Sequence, residues 1–122
     1  PSTVDYDGTF QGRSIVFEAK STKELSRFDL KNIHDHQVEY LAKVDKLGGI
    51  SFLLVEFASH RTIYLVPYQS LEYYWKRKQR GGRGTQSISL EDFEVHMHQV
   101  PTGKVPVDYL QVVKKLWKME VA

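Results

Sequence analysis

Asp5, Glu18 and Lys20 are residue types that together bind a divalent cation and help cleave a phosphodiester. Glu18 and Lys20 close a short apolar segment, Ser14-Ile15-Val16-Phe17-Glu18-Ala19-Lys20. In a strand these two side chains leave the same face, because alternate residues share a side. Asp5 joins them if the preceding segment folds back as a hairpin. Gln11-Gly12 is the natural two-residue turn, since Gly accepts the positive φ that tight hairpin loops demand. With that turn Phe10 pairs with Arg13, Thr9 with Ser14, Asp7 with Val16, Asp5 with Glu18, and Thr3 with Lys20. One face then carries Thr3, Asp5, Asp7, Val16, Glu18 and Lys20. The other, with Val4, Tyr6, Ile15, Phe17 and Ala19, is expected to be the core.

Two carboxylates directly opposite one another, with Cβ atoms ~5 Å apart, repel by roughly 3 kcal/mol at an effective dielectric near 20. Lys20 is one group able to offset this, and a hard cation is another. Mg²⁺ is held by one or two carboxylates plus water and phosphate oxygens. The same three residues also fit a surface ion-pair cluster with no catalytic role, and a register slipped by one residue would separate them.

The elements that must position these residues follow from patterning. Ser21 to Lys31 is polar and reads as a loop. A helix is expected from about Asn32 to Lys46, stopped by Gly48-Gly49. Its apolar stripe is Ile33, Tyr40, Leu41, Val44 and Leu47, with Gln37 in the middle of it. A polar side chain there needs partners, either nearby backbone or the edge of the carboxylate cluster. Ile50 to Phe57 is a nearly continuous apolar run, as in a strand covered on both faces. Ala58-Ser59-His60-Arg61 turns into a second strand, Thr62 to Val66. Pro67 ends that strand and opens a helix from Tyr68 to about Lys78. Ser89 to Asp92 reads as a helix start or short turn, and Val95 to Val100 alternates like an edge strand. Val107 to Lys118 is an amphipathic helix with Val107, Leu110, Val113, Leu116 and Trp117 turned inward. The expected class is α/β, with a mixed central sheet flanked by helices, in one domain spanning residues 1–122.

Composition narrows the function. With 41% hydrophobic and 26% charged residues the chain is of ordinary globular make-up. It has no cysteine, which excludes disulfides and thiolate metal sites and is compatible with a reducing compartment. There is no membrane-length apolar run; the expectation is a cytoplasmic protein with no membrane partner. The net charge of +2 hides a dense block, because Lys76, Arg77, Lys78, Arg80 and Arg83 place five positive charges within eight positions. No acidic residue lies between Glu72 and Glu91. Such a block is an electrostatic footprint for phosphates. Tyr73, Tyr74 and Trp75 beside it are suited to stacking on unpaired bases, but at helical spacing most of them are expected in the core. His34 and His36, at i and i+2 of a helix, are expected to point to different faces. His96 and His98 would share a strand face, with nothing nearby to complete a metal site. The chain begins Pro1-Ser2-Thr3 rather than with Met, as expected of a piece of a longer protein.

The order of several motifs resembles a known family. Thr3-x-Asp5-Tyr6-x-Gly8, Gly12-Arg13 and Phe17-Glu18-Ala19-Lys20 resemble the active-site region of RecU-type Holliday-junction resolvases, members of the restriction-endonuclease-like PD-(D/E)xK superfamily. The resemblance continues through Leu30-Lys31-Asn32-x-His34-x-His36-Gln37, the strand after Gly48-Gly49, Tyr74-Trp75, and Asp108-Tyr109-x-x-Val112-Val113. It implies a restriction-endonuclease-like core without the family's N-terminal part. It also implies a homodimeric, Mg²⁺-dependent endonuclease (Mn²⁺ able to substitute) that cuts four-way DNA junctions in recombination and repair, beside other recombination proteins. Carried over, Thr3, Asp5, Glu18 and Gln37 would bind metal, Asp5, Glu18 and Lys20 would be catalytic, and Lys20 would stabilise the transition state. Alternatives are a non-catalytic DNA-binding module of the same fold or another PD-(D/E)xK nuclease.

Overall fold

The predicted turn forms. Gln11 and Gly12 take φ values of 50° and 80°, both positive as a type I′ hairpin loop requires. They join strand β1 (Tyr6–Phe10) to β2 (Arg13–Thr22). The register is the expected one: Phe10 lies opposite Arg13, Thr9 opposite Ser14 and Asp7 opposite Val16. The computed structural model describes residues 4–101 and 109–119. Thr3 with its pairing to Lys20, and the expected helical start at Val107 and Asp108, lie outside the described residues.

After β2 the chain forms β3 (Arg27–Asp29), a 3-10 turn (Leu30–Asn32), helix α1 (Asp35–Lys46) and β4 (Ile50–Phe57). Then come β5 (Thr62–Pro67), α2 (Tyr68–Arg80), β6 (Ser87–Ser89), α3 (Leu90–His96), β7 (His98–Val100) and α4 (Tyr109–Leu116). The main sheet has the order β1-β2-β4-β5-β7, and β3 and β6 form a separate two-stranded ribbon. β2 and β4 run parallel while the other described pairings are antiparallel. The parallel pair needs a crossover, and α1 supplies it. The mixed α/β class expected from the pattern is the class observed.

Both faces of the sheet are covered, as expected for the Ile50–Phe57 strand; for the first hairpin this corrects the expectation that only the Ile15–Phe17 side is core. On one side Val16, Leu53, Val55 and Val66 pack with Val38 and Leu41 of α1 and Leu71, Tyr74 and Trp75 of α2. On the other Ile15, Phe52, Leu54, Leu65 and Val100 pack with Val113 of α4 and its partly buried neighbours Tyr109, Leu110, Leu116 and Trp117. Val4 joins the first cluster rather than the side of Ile15 and Phe17, since the chain bends at residues 4–5 before the ladder begins. On the carboxylate face Val16 and Glu18 are buried against α1, while Asp5 and Asp7 are exposed.

Several boundaries differ from the pattern reading. The segment 21–31 is not simply a loop, because β3 pairs with β6, Phe28 facing Ile88 in the ladder, and Phe28 and Leu30 are fully buried. α1 starts later than Asn32, leaving Ile33 buried ahead of it, and Leu47 at its C-terminal cap is 77% exposed. α2 runs two residues beyond Lys78, to Arg80. Val95 and His96 belong to α3 rather than to an edge strand, because Ser89 Oγ accepts from Asp92 N at 3.0 Å and starts a helix there. Only His98–Val100 pairs, along β5, so His96 and His98 share no strand face. Gly49 is required where α1 turns into β4. A Cβ there would lie 2.5 Å from Val44 Cγ1 and 3.2 Å from the Ser14 carbonyl.

Candidate functional site

Asp5, Glu18, Lys20 and Gln37 meet where the first hairpin passes beneath the N-terminus of α1. Glu18 is 3% exposed, so its charge must be offset within the protein. Its Oε1 accepts from the backbone N–H of Asp5 at 3.0 Å, and its Oε2 accepts from Gln37 Nε2 at 2.7 Å. Lys20 Nζ completes the set, 3.1 Å from the same Oε2. The repulsion expected between opposed carboxylates is relieved by geometry. Asp5 offers Glu18 its backbone N–H, while its own Oδ2 accepts from Ala19 N at 2.8 Å. Asp5 is thus tied to β2 by two bonds, one to the Glu18 side chain and one from the Ala19 backbone.

Gln37 answers the question posed by a polar residue on an apolar stripe. It is 8% exposed. Its amide nitrogen donates to Glu18, and its Oε1 accepts from His34 N at 3.0 Å. His34 is the N-cap of α1, so the 34/37 pair has the spacing and the return bond of a capping box. That spacing was visible in the sequence, with His in place of the usual Ser or Asp. His34 and His36 do not diverge as expected. His34 has extended φ/ψ outside the helix, and the two rings stack at 5.5 Å with 5° between planes. Sequence reasoning also missed Tyr40, whose hydroxyl donates to Asp7 Oδ2. That bond raises the tyrosine's pKa, because the proton is shared with a carboxylate.

Asp5, Glu18 and Gln37 bring to one place the oxygen donor types that hard cations take, with both Glu18 oxygens engaged by protein donors. Two carboxylates and a neutral amide oxygen are the oxygen donors; among the described residues no cluster of three or more His, Cys, Asp or Glu side chains is placed to hold a metal. Mg²⁺ sites use one or two carboxylates with water and phosphate completing the shell. Asp5 is exposed, and its Oδ2 accepts from Ala19 N. Gln37 Oε1 is already engaged by the helix cap, so direct ligation by Gln37 uses that oxygen's second lone pair or a rotated amide.

The basic block divides by role. Lys76 is 3.6 Å from Glu72 in the same helix. Arg77 lies over the Tyr74 ring at 5.0 Å and donates to the Ser87 carbonyl at 3.0 Å. Lys78 sits over Trp75 at 4.7 Å. Arg80 and Arg83 are exposed and, among the described residues, have no carboxylate partner. Tyr74 and Trp75 are buried, as expected of most of the aromatic run, whereas Tyr73 is 59% exposed. Burial and the bond from its hydroxyl to Asp92 push the Tyr74 phenol up to about 12.

A mixed sheet with a carboxylate–lysine cluster on its helix-covered face is a nuclease-like core. Residues 1–115 match the family model described as RecU, Recombination protein U. The chain belongs to that family. It is 42% identical over 117 residues to the Holliday junction resolvase RecU of Staphylococcus carnosus (strain TM300), a match covering 95% of this chain and 55% of the relative. Against the protein of the same name from Staphylococcus aureus (strain JH9) the identity is 41%, with the same coverage. The chain thus spans about half the length of the curated relatives it matches. No helix among the described residues is long and apolar enough to cross a membrane.

Proposed function

We propose that this chain carries the catalytic core of a metal-dependent, structure-selective DNA endonuclease that resolves four-way junctions in recombination and repair. The observation that carries the reading is the nearly buried Glu18, bound at both oxygens by Asp5 N, Gln37 and Lys20. Family membership gives it a substrate class. A Mg²⁺ ion (or Mn²⁺) bound at Asp5 and Glu18, with Thr3 and Gln37 as further oxygen donors, would supply charge to polarise a scissile phosphate and acidify a water. Glu18 holds Lys20 beside the cluster, where the ammonium offsets negative charge developing on phosphate oxygens and orients the attacking water. Gln37 fixes the rotamer of Glu18. Arg80 and Arg83, with Lys76, Arg77 and Lys78 behind them, hold the DNA backbone without reading sequence. A homodimer is the natural form for cutting paired strands of a junction, and the cytoplasm, with other recombination proteins, is the setting that reading implies.

The test is cleavage of a labelled four-way junction by full-length protein with Mg²⁺. Glu18→Ala is expected to abolish cutting while junction binding persists; equal cutting by both proteins would sink the assignment. A second reading, a non-catalytic DNA-binding module, is favoured by the saturation of Glu18 with protein donors. It predicts salt-sensitive junction binding with no cleavage at any divalent-ion concentration.

A further inference from the structure

Between α2 and α3 lies an open cavity of about 420 Å³, lined by Tyr73, Tyr74, Arg77, Asp92, His96 and Met97 among others. Its volume falls in the range of small-molecule pockets, roughly 300–1,000 Å³. Its lining is not what a phosphate needs. Asp92 presents a carboxylate, of which Oδ2 accepts the Tyr74 hydroxyl at 3.0 Å, and a carboxylate repels an anion. Arg77 also lines it, with its guanidinium bonded to the Gly84 and Ser87 carbonyls and lying over the Tyr74 ring. What the cavity does offer is an aromatic wall and a hydrogen-bond acceptor. Tyr73 is more than half exposed and stands perpendicular to Tyr74, with ring centroids 5.0 Å apart. Arg80 ends the same helix, α2, and Arg83 lies in the loop that follows.

We propose that this cavity takes an unpaired nucleobase, stacked on Tyr73 with its exocyclic amine donating to Asp92, while Arg80 and Arg83 hold the flanking phosphates. The proposal rests on the nucleic-acid reading above and extends it from backbone binding to a base-selective contact. Stacking on an exposed aromatic needs a base free of its partner, so the cavity selects unpaired strands over intact duplex. The Asp92 carboxylate, an acceptor only when ionised, favours bases bearing an amino group. Cytosine meets it with N4–H₂ donors, whereas thymine offers a carbonyl oxygen at the same place.

The experiment measures binding of full-length protein to single-stranded oligo-dC, oligo-dT and duplex, without added metal so that nothing is cut. Wild type is expected to prefer oligo-dC to oligo-dT. Tyr73→Ala is expected to weaken oligo-dC binding by about fivefold or more, the scale of one lost stacking contact. Tyr73→Phe is expected to restore it, with the salt slope and duplex affinity unchanged. An oligonucleotide bearing 2-aminopurine should lose its binding-induced quench in Tyr73→Ala. Unchanged oligo-dC affinity in Tyr73→Ala, an equal loss on duplex, or a preference for oligo-dT would each overturn the proposal. Unchanged affinity would leave the cavity to a peptide partner. The two readings separate cleanly. Tyr73-dependent binding without junction cleavage keeps the base site and removes the endonuclease, and cleavage with Tyr73-independent binding does the reverse.

Discussion

Glu18 is a buried carboxylate whose position is fixed by three donors from three places: the bend before β1, a residue two positions along its own strand, and α1. Asp5, Glu18 and Lys20 could be brought together from sequence because a local two-residue turn sets the register, and the register sets the face. Asp5's actual role, donating its N–H to one carboxylate oxygen and turning its own carboxylate to Ala19, was not legible. It depends on the bend at residues 4–5 and not on the ladder. The His34–His36 stack was missed for a related reason, since two residues of ambiguity in a helix start decide whether i and i+2 diverge or stack. At this scale the clearest prediction concerns Gln37. Gln37→Leu removes the donor to Glu18 Oε2 and leaves the His34 N–H without its acceptor. Lys20 still serves Glu18 Oε2, so the expected cost is that of the lost hydrogen bonds, about 1–3 kcal/mol. Urea unfolding of metal-free protein is expected to show a lower midpoint with an unchanged m-value; a midpoint equal to wild type would show that the cap bond contributes nothing.

Long, strongly patterned elements were legible and short ones were not. The continuous apolar run of β4 and the Gly-terminated end of α1 carry local signals. β3 and β6 are three residues each and exist because Phe28 and Ile88 pair across about half the chain, which no local pattern announces. β7 shows what such placement does to a titrating group. His98 lies half-buried there, and its pKa is lowered first by burial and then by Lys115 of α4. The unfolded chain therefore binds a proton on this residue more readily than the folded one. The contribution to stability is complete above the ordinary value of 6.5 and is lost as pH falls through the lower folded value. Wild type is expected to lose urea stability between about pH 7.5 and about pH 5, and His98→Gln to lose measurably less. Parallel curves for the two proteins would place the acid sensitivity elsewhere.

Across the whole molecule, charge and chemistry occupy different parts of one chain. The carboxylate cluster comes from residues 5–37, and the exposed basic loop follows α2. The sequence showed five cations as one block; the structure divides them, because stacking on Tyr74 and Trp75 and bonding to loop carbonyls are tertiary events. Arg80→Gln and Arg83→Gln are each expected to reduce the salt slope of junction binding by about one, measured between about 50 and 200 mM salt. Arg77→Gln is expected instead to lower thermal stability, because its guanidinium ties the loop at Ser87 to α2. A slope unchanged in the first two variants would move the phosphate contacts off this loop.

The amide of Gln37 stands between a helix cap and a buried carboxylate, and that double duty narrows what the position can spell. It needs a donor and an acceptor on one planar group at that reach. Asn is a methylene too short, Glu brings only acceptors when ionised, and Lys and Arg bring only donors. Position 37 thus reads from an alphabet of almost one letter, and a chain that changes it rewrites the start of α1 and the setting of Glu18 in the same stroke.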